Sequence, residues 1–315
     1  MKFLKKLKEV KGDASFRKFY RNKKNNSIIV VANKEKNKNL LVYDAINKIL
    51  IKNKILAPKL LNQNYHKNYI EIQDLGAKTL YQLLSKKKFN NYLIFKKVIK
   101  ILNEIQSVKD KKIKNFKNQS YKIKKYYNQV LYKEAKLFCD WYVPKKLSKN
   151  KIIKFNHQFK KEIKSLLLKL NYKNDTFVHR DFHVSNLMYS DSKIGLIDSQ
   201  DALIGNKAYD LASLIDDVRF KTSNKLKKKI YDYYLKKNKK IKAINFKMDF
   251  EILSVLRNFK IIGIFMRLAK RDNKRKYLKL IPYAWKMIDY RTNQSKVFDN
   301  LRLLLKNNFS RSTVR

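Results

Sequence analysis

Residues 177–201 read FVHRDFHVSNLMYSDSKIGLIDSQD, and this stretch decides the fold. It holds His179-Arg180-Asp181, then Asn186 five residues later, then Asp198 twelve residues beyond that. A polar loop gives way to two short apolar runs, Asn186–Tyr189 and Ile194–Ile197, with Asp191-Ser192 between them. Apolar runs split by an Asp-Ser pair predict a β-hairpin. A hairpin brings its two ends together, so Asp181 and Asn186 are expected near Asp198 at one mouth. Asn186 and Asp198 offer the side-chain oxygens that a hard, water-retaining Mg²⁺ prefers. Asp181 is a carboxylate able to orient a hydroxyl and accept its proton. A metal clamp beside a positioned nucleophile is the equipment of phosphoryl transfer. An HRD tripeptide alone says little, because Asp and Asn are common in loops. The complete spacing, H-x-D-x-x-x-x-N-L-M followed by an apolar run ending I-D-x-Q-D, is far more specific.

Outward from this stretch the chain changes character. On the N-terminal side, residues 1–8 alternate apolar and basic at helical spacing and predict a short amphipathic helix. Residues 12–15 (Gly-Asp-Ala-Ser) read as a turn before a strand at Phe16–Tyr20. Such a turn either joins two strands or lets backbone N–H groups approach phosphate oxygens. Ser27–Ala32 (SIIVVA) predicts a buried strand, Leu40–Ile51 a helix, and Tyr69–Ile72 a strand ended by Gln73-Asp74-Leu75-Gly76. From Leu80 the pattern is helical. Tyr92, Phe95, Ile99, Leu102 and Ile105 mark one apolar face. Phe155, Phe159, Ile163, Leu166, Leu167 and Leu170 mark another. The expectation is an α+β, protein-kinase-like fold of two lobes. A small β-rich N-lobe spans residues 1–75, and a larger helical C-lobe spans 76–315.

Composition narrows the class. The 315 residues include 44% hydrophobic side chains, enough for a packed core. Against 25 acidic residues stand 76 basic ones, a formal charge of +51. Strong positive charge is the footprint of nucleic-acid binding. Here, though, lysine is spread along the whole chain, and Asn, Ile, Tyr and Phe are abundant while Gly and Pro are scarce. That is the signature of A/T-rich codons, and it places much of the charge on solvated faces. The single cysteine, Cys139, excludes an internal disulfide and any cysteine-based metal site, which fits a reducing cytoplasm. The N-terminus has no apolar run of signal-peptide length, and Ile261–Met266 is too short to span a bilayer. A cytoplasmic monomer is expected.

The motifs also carry a resemblance. HRDFHVSNLM (179–188) with GLIDSQDALIGNKAYDLASL (195–214) resembles the aminoglycoside-phosphotransferase and choline-kinase branch of the kinase-like fold. GDASFRKFYR (12–21), QDLG (73–76) and NFKIIGIFMRLAKRDNKRKYL (258–278) are similar to bacterial N-acetylmuramate/N-acetylglucosamine anomeric kinases, which act in cell-wall sugar recycling. The resemblance runs over nearly the whole chain in the right order. It implies ATP and Mg²⁺ as cofactors, Asp181 as catalytic base, His179 as support for its loop, and Asn186 and Asp198 as metal ligands. It implies that Gly12, Asp13, Ala14 and Ser15 cover the nucleotide phosphates. It makes Gln73, Asp74 and Leu75 the hinge facing adenine, and Asp210 a structural carboxylate.

Two departures stand out. The Asp-Phe-Gly of protein kinases reads Asp198-Ser199-Gln200 here. The strand 28–32 carries no lysine, so the phosphate-binding cation falls to Lys34, just past its end, or to Arg17 or Arg21. For the acceptor, Trp141 is either a stacking platform for a sugar or a core residue. Arg267 is either a partner for the lactyl carboxylate of N-acetylmuramate or half of an internal salt bridge. Two further readings compete with a sugar kinase: a kinase of aminoglycosides or choline-like amines, and a non-catalytic, basic nucleic-acid-binding protein on a kinase-like scaffold. Cationic substrates would favour an acidic pocket, which this composition does not suggest.

Overall fold

The computed structural model describes residues 4, 6–10, 17–86, 90–190 and 193–309. The chain divides into two compact units. One comprises Met1–Lys124 with Phe177–Ile204, the other Lys125–Thr176 with Gly205–Arg315.

The first unit is built on an antiparallel sheet of five strands in the order β1-β2-β3-β5-β4. These are β1 (Lys8–Val10), β2 (Lys18–Asn22), β3 (Ser27–Val31), β4 (Leu60–Asn64) and β5 (Tyr69–Gln73), with helix α1 (Lys38–Lys52) between β3 and β4. The β-branched run of β3 suits a pleated surface packed on one side. Val30 pairs with Ile70 and Ile28 with Ile72 across β3 and β5. Val30, Ile70 and Ile72 join Leu40 and Tyr43 of α1 in one buried cluster.

Three local details differ from the sequence pattern. Lys8–Val10 is a strand paired with Phe19–Arg21, so the helix expected over 1–8 stops short of Lys8; residues 1–3 and 5 of that expectation lie outside the described residues. The strand expected at 16–20 is found at Lys18–Asn22, its register set by pairing with Ser27–Val31. β4 (LLNQN) lacks the apolar signature of a strand because it is a mostly exposed edge strand, with a register shift between Leu60 and Asn62.

Helices α2 (Leu80–Ser85) and α3 (Asn91–Gln106) and the short strands β6 (Lys112–Lys114) and β7 (Ser120–Lys122) follow. A capping box starts α2: Gln82 N donates to Thr79 Oγ1, and Thr79 N donates to Gln82 Oε1. Strand β8 (Thr176–Val178) precedes the hairpin of β9 (Leu187–Ser190) and β10 (Lys193–Leu196), after which comes β11 (Leu203–Gly205).

The second unit is helical: α4 (Asn128–Ala135), α5 (Lys149–Leu168), α6 (Ala208–Ile215), α7 (Asn224–Lys237), α8 (Ala243–Arg271), α9 (Ile281–Thr292) and α10 (Asp299–Asn308). The α5 stripe is core as expected, with Phe155, Phe159, Ile163, Leu166 and Leu167 buried. Phe138 is the hub of its aromatic cluster, with Phe259 at 4.9 Å and Trp285 edge-on at 5.5 Å. Cys139 is buried beside it, and burial pushes its thiol up to about 12. Among the described residues no helix is long and apolar enough to cross a membrane.

A buried charge network ties α6, α7, α8 and α9 together. Asp216 accepts from Arg291 Nε at 2.7 Å and Nη2 at 3.1 Å, from Lys227 Nζ at 2.8 Å and from Ser254 Oγ at 2.6 Å. Burial alone would push this carboxyl up, but the charges of Lys227 and Arg291 prevail and hold it well below the ordinary range. A depressed carboxyl contributes stability that is present above its unfolded value and lost as pH falls through the native one. Asp216→Asn is expected to lower stability by about 3–5 kcal/mol at neutral pH, since it leaves two buried cations without their anion. Urea unfolding measures this, and an unchanged midpoint would contradict it.

Candidate active site

His179 follows β8 and is fully buried. Its Nε2 lies 3.2 Å from the Ile197 carbonyl, which can only accept, so Nε2 carries the hydrogen. Burial holds the imidazole below its ordinary value despite the nearby charges of Asp181 and Asp198. A neutral His179 therefore ties the loop to the end of β10. Arg180 next to it has φ 73°, a left-handed conformation rarely adopted by a long side chain, and its Nη1 donates to the Asp201 carbonyl at 3.0 Å.

The loop then closes on the carbonyl of Asp181. His183 N and Asn186 Nδ2 both donate to it at 3.0 Å. The pairing Leu187↔Leu196 sets the hairpin register, and Ile197 N donates to the Asn186 carbonyl at 3.1 Å. Asn186 and Asp198 thus flank the open end of the hairpin, as the two apolar runs imply. The turn residues Asp191 and Ser192 lie outside the described residues. Asp198 also has positive φ, 64°.

The donor set suits a hard divalent ion. The Asn186 amide nitrogen is spent on Asp181, and no described residue donates to its Oδ1. Asp198 Oδ1 accepts from Arg17 Nη2 at 2.6 Å and Gln200 Nε2 at 3.2 Å, and no described residue donates to its Oδ2. One amide oxygen and one carboxylate oxygen remain. Among the described residues no group of three or more His, Cys, Asp or Glu gathers to cage an ion. Two protein oxygens with the rest of the shell from water and phosphate is the manner in which Mg²⁺ is commonly held.

Asn186 and Asp198 form one wall of a cleft of about 350 Å³ within the first unit. Much of the rest is apolar, including Phe19, Ile28, Tyr43, Ile72 and Met188, with Arg21, Thr79 and Gln82 among the polar residues. Gln73, Asp74 and Leu75 line it too. Asp74 is consumed in shaping this segment. It accepts from Arg21 Nε at 2.5 Å, Arg21 Nη2 at 3.1 Å and Gly76 N at 2.9 Å. Gly76 takes φ 93°, and its carbonyl accepts from Arg21 Nη2 at 2.8 Å. Gln73 Oε1 is buried with no partner among the described residues. Gly195 lets β10 approach this segment, because a Cβ there would lie 2.8 Å from Leu75 Cδ1.

Other sequence-derived candidates are placed differently. Lys34 is exposed on a 3-10 turn after β3 and is not on the cleft wall, because the chain leaves the sheet at Ala32–Asn33. The cation at Asp198 is Arg17, and Arg21 is committed to Asp74. Gly12, Asp13, Ala14 and Ser15 lie outside the described residues. In the second unit, Asp210 is fully buried in the first turn of α6. Trp141 is half-buried on a π-helical turn, Phe138–Tyr142, while Trp285 fills the aromatic core. Arg267 is half-buried on α8, and its Nε is buried without a partner among the described residues. Burial, then Arg271, lower its pKa, while Asp272 is paired with Arg271 at 2.8 Å.

Asn47 has a role that sequence pattern did not single out. It accepts from the buried Ser199 hydroxyl at 2.5 Å and donates to the Pro58 carbonyl at 3.1 Å, linking α1 to the segment after Asp198. Its signal was a polar side chain among Ile46, Ile49 and Leu50 on the buried face of α1.

A family profile described as "Phosphotransferase enzyme family" matches residues 6–242. The N-acetylmuramate/N-acetylglucosamine kinase of Neisseria meningitidis serogroup B is 25% identical over 283 residues, covering 86% of this chain and 80% of that protein. The protein of the same description from Pseudomonas aeruginosa is 26% identical over 285 residues, covering 88% and 81%. Among solved structures, the ADP-bound aminoglycoside phosphotransferase APH(2'')-Ib superposes with TM-score 0.63 at 14% identity, covering 93% of each chain. A choline/ethanolamine kinase family protein from Mesorhizobium loti gives TM-score 0.63 at 9% identity, covering 96% and 92%. At such identities the likeness establishes the fold, which is the kinase-like α+β architecture with a β-rich N-terminal region and a larger helical part.

Proposed function

Since the chain belongs to the phosphotransferase enzyme family and is a small-molecule kinase, we propose that it uses ATP and Mg²⁺ to phosphorylate the anomeric hydroxyl of N-acetylmuramate and/or N-acetylglucosamine. The observation that carries this reading is the open end of the hairpin, where Asn186 Oδ1 and Asp198 Oδ2 are left uncommitted by the described residues beside the Asp181 loop. The relatives named as sugar kinases support the acceptor class.

In this reading the apolar cleft between Phe19, Ile28 and Met188 takes the nucleotide base, against the Gln73–Leu75 segment. Asn186 and Asp198 hold the metal, which when bound neutralises charge on the transferring phosphoryl group. Asp181 orients the acceptor hydroxyl and accepts its proton, with its loop fixed by neutral His179. An anomeric hydroxyl is more acidic than an ordinary sugar alcohol and asks less of that base. Arg267, whose buried Nε has no partner among the described residues, is proposed to meet the lactyl carboxylate, and Trp141 to stack on the sugar. Family membership displaces the reading of an idle scaffold. The aminoglycoside and choline-type neighbours speak for the fold alone and do not favour those acceptors.

The test is ATP consumption over a panel of amino sugars, aminoglycosides and choline, run beside a reducing-sugar assay. A sugar 1-phosphate has no reducing end, so the two signals should change one for one, with an anomeric phosphate in the phosphorus NMR spectrum. ATP consumption with constant reducing-end signal would place the phosphate elsewhere on the ring. Turnover confined to aminoglycosides or choline would refute the sugar reading.

A further inference from the structure

Arg17 immediately precedes β2, and its side chain is 3% exposed against 37% for its partner Asp198. The guanidinium carbon lies 5.6 Å from the Phe19 ring centre and 5.5 Å from that of Tyr43. Aromatic packing therefore fixes a cation against the carboxylate that the phosphotransferase reading assigns to the metal. A divalent ion on Asp198 Oδ2 and the guanidinium on Oδ1 would share one carboxylate with like charges a few ångströms apart, so each weakens the other's hold.

Resting on that reading of the cleft, we propose that Arg17 is an exchangeable counter-ion. It holds Asp198 until nucleotide binds, then passes to a phosphate oxygen as the metal takes the carboxylate. A planar guanidinium suits phosphate as well as carboxylate. β3 supplies no lysine for the task, Arg21 lines the cleft but is held by Asp74 and the Gly76 carbonyl, and Lys34 is exposed on the 3-10 turn after β3. Arg17 thus contacts the nucleotide only once it leaves Asp198, and it makes metal and nucleotide binding interdependent. Each ligand releases the partner that the other needs, and the coupling is reciprocal.

The test is Mn²⁺ binding to the full chain without nucleotide, read from the EPR signal of free Mn²⁺, together with ADP binding in EDTA by calorimetry. Removing the internal cation should tighten the metal and weaken the nucleotide. Arg17→Gln is expected to bind Mn²⁺ about tenfold tighter than wild type and metal-free ADP about tenfold weaker, within the usual span of coupling between sites. Unchanged or weaker Mn²⁺ binding overturns the exchange. Arg17→Lys keeps the buried charge with a looser grip and serves if the Gln variant does not fold. It should tighten Mn²⁺ about threefold, and no change overturns the proposal equally. Adding Asp198→Ala to Arg17→Gln separates the two levels of inference. If Mn²⁺ affinity falls, the metal sits on Asp198 and the exchange stands. If it stays, the metal binds elsewhere and the reading of the cleft fails with it.

Discussion

Asp198→Ala is expected to reduce turnover by at least about a thousandfold at saturating Mg²⁺, because it removes the carboxylate of the proposed metal site, and metal stabilisation of the transferring charge amounts to several kcal/mol. The change would also strip Arg17, an almost fully enclosed cation, of its partner at 2.6 Å. Some loss of stability is therefore expected, and a thermal melt must accompany the kinetics. Asp198→Asn keeps the shape and an oxygen acceptor but loses the charge, so it should melt closer to wild type and still turn over poorly. Asn186→Ala should act in the same direction with a smaller effect, since its amide contributes no charge. A folded Asp198→Ala variant turning over at wild-type rate would show that the hairpin mouth is not the metal site.

The second large effect belongs to Asp181. Asp181→Asn is expected to lower turnover about a hundredfold or more, the ordinary loss for removing a general base. Nucleotide binding should be unaffected, because Asp181 is not on the cleft wall. The fold should persist as well, because the loop is held by the Asp181 carbonyl, which accepts from His183 N and Asn186 Nδ2 and survives the substitution. Rapid-quench measurement of the first turnover isolates the chemical step. A variant with wild-type chemistry would remove Asp181 from the role of base. A variant that loses nucleotide affinity instead would assign it to binding.

The sequence by itself determined the elements whose signals are local. β3 is legible because five β-branched or small residues in a row suit a strand buried among neighbours, and α3 and α5 because their apolar residues recur at helical spacing. The hairpin is legible for the same reason. Its two apolar runs and the turn between them bring Asn186 and Asp198 to one end, and the structure shows the register, Leu187 against Leu196. The edge strand β4 was not legible, because a strand with much of its surface in water needs no apolar alternation. Tertiary structure alone decided which charges meet. Arg17 and Arg21 lie four residues apart and share the parity that alternation in a strand assigns to one face, so pattern cannot tell them apart. Yet one is paired with Asp198 and the other with Asp74, 181 and 53 residues away along the chain. The same holds for Ser199, whose hydroxyl meets Asn47 152 residues before it, and for the two tryptophans, of which Trp285 joined the aromatic core and Trp141 stayed half-buried. Periodicity reports whether a side chain faces a core. Which partner it finds there depends on how distant segments pack.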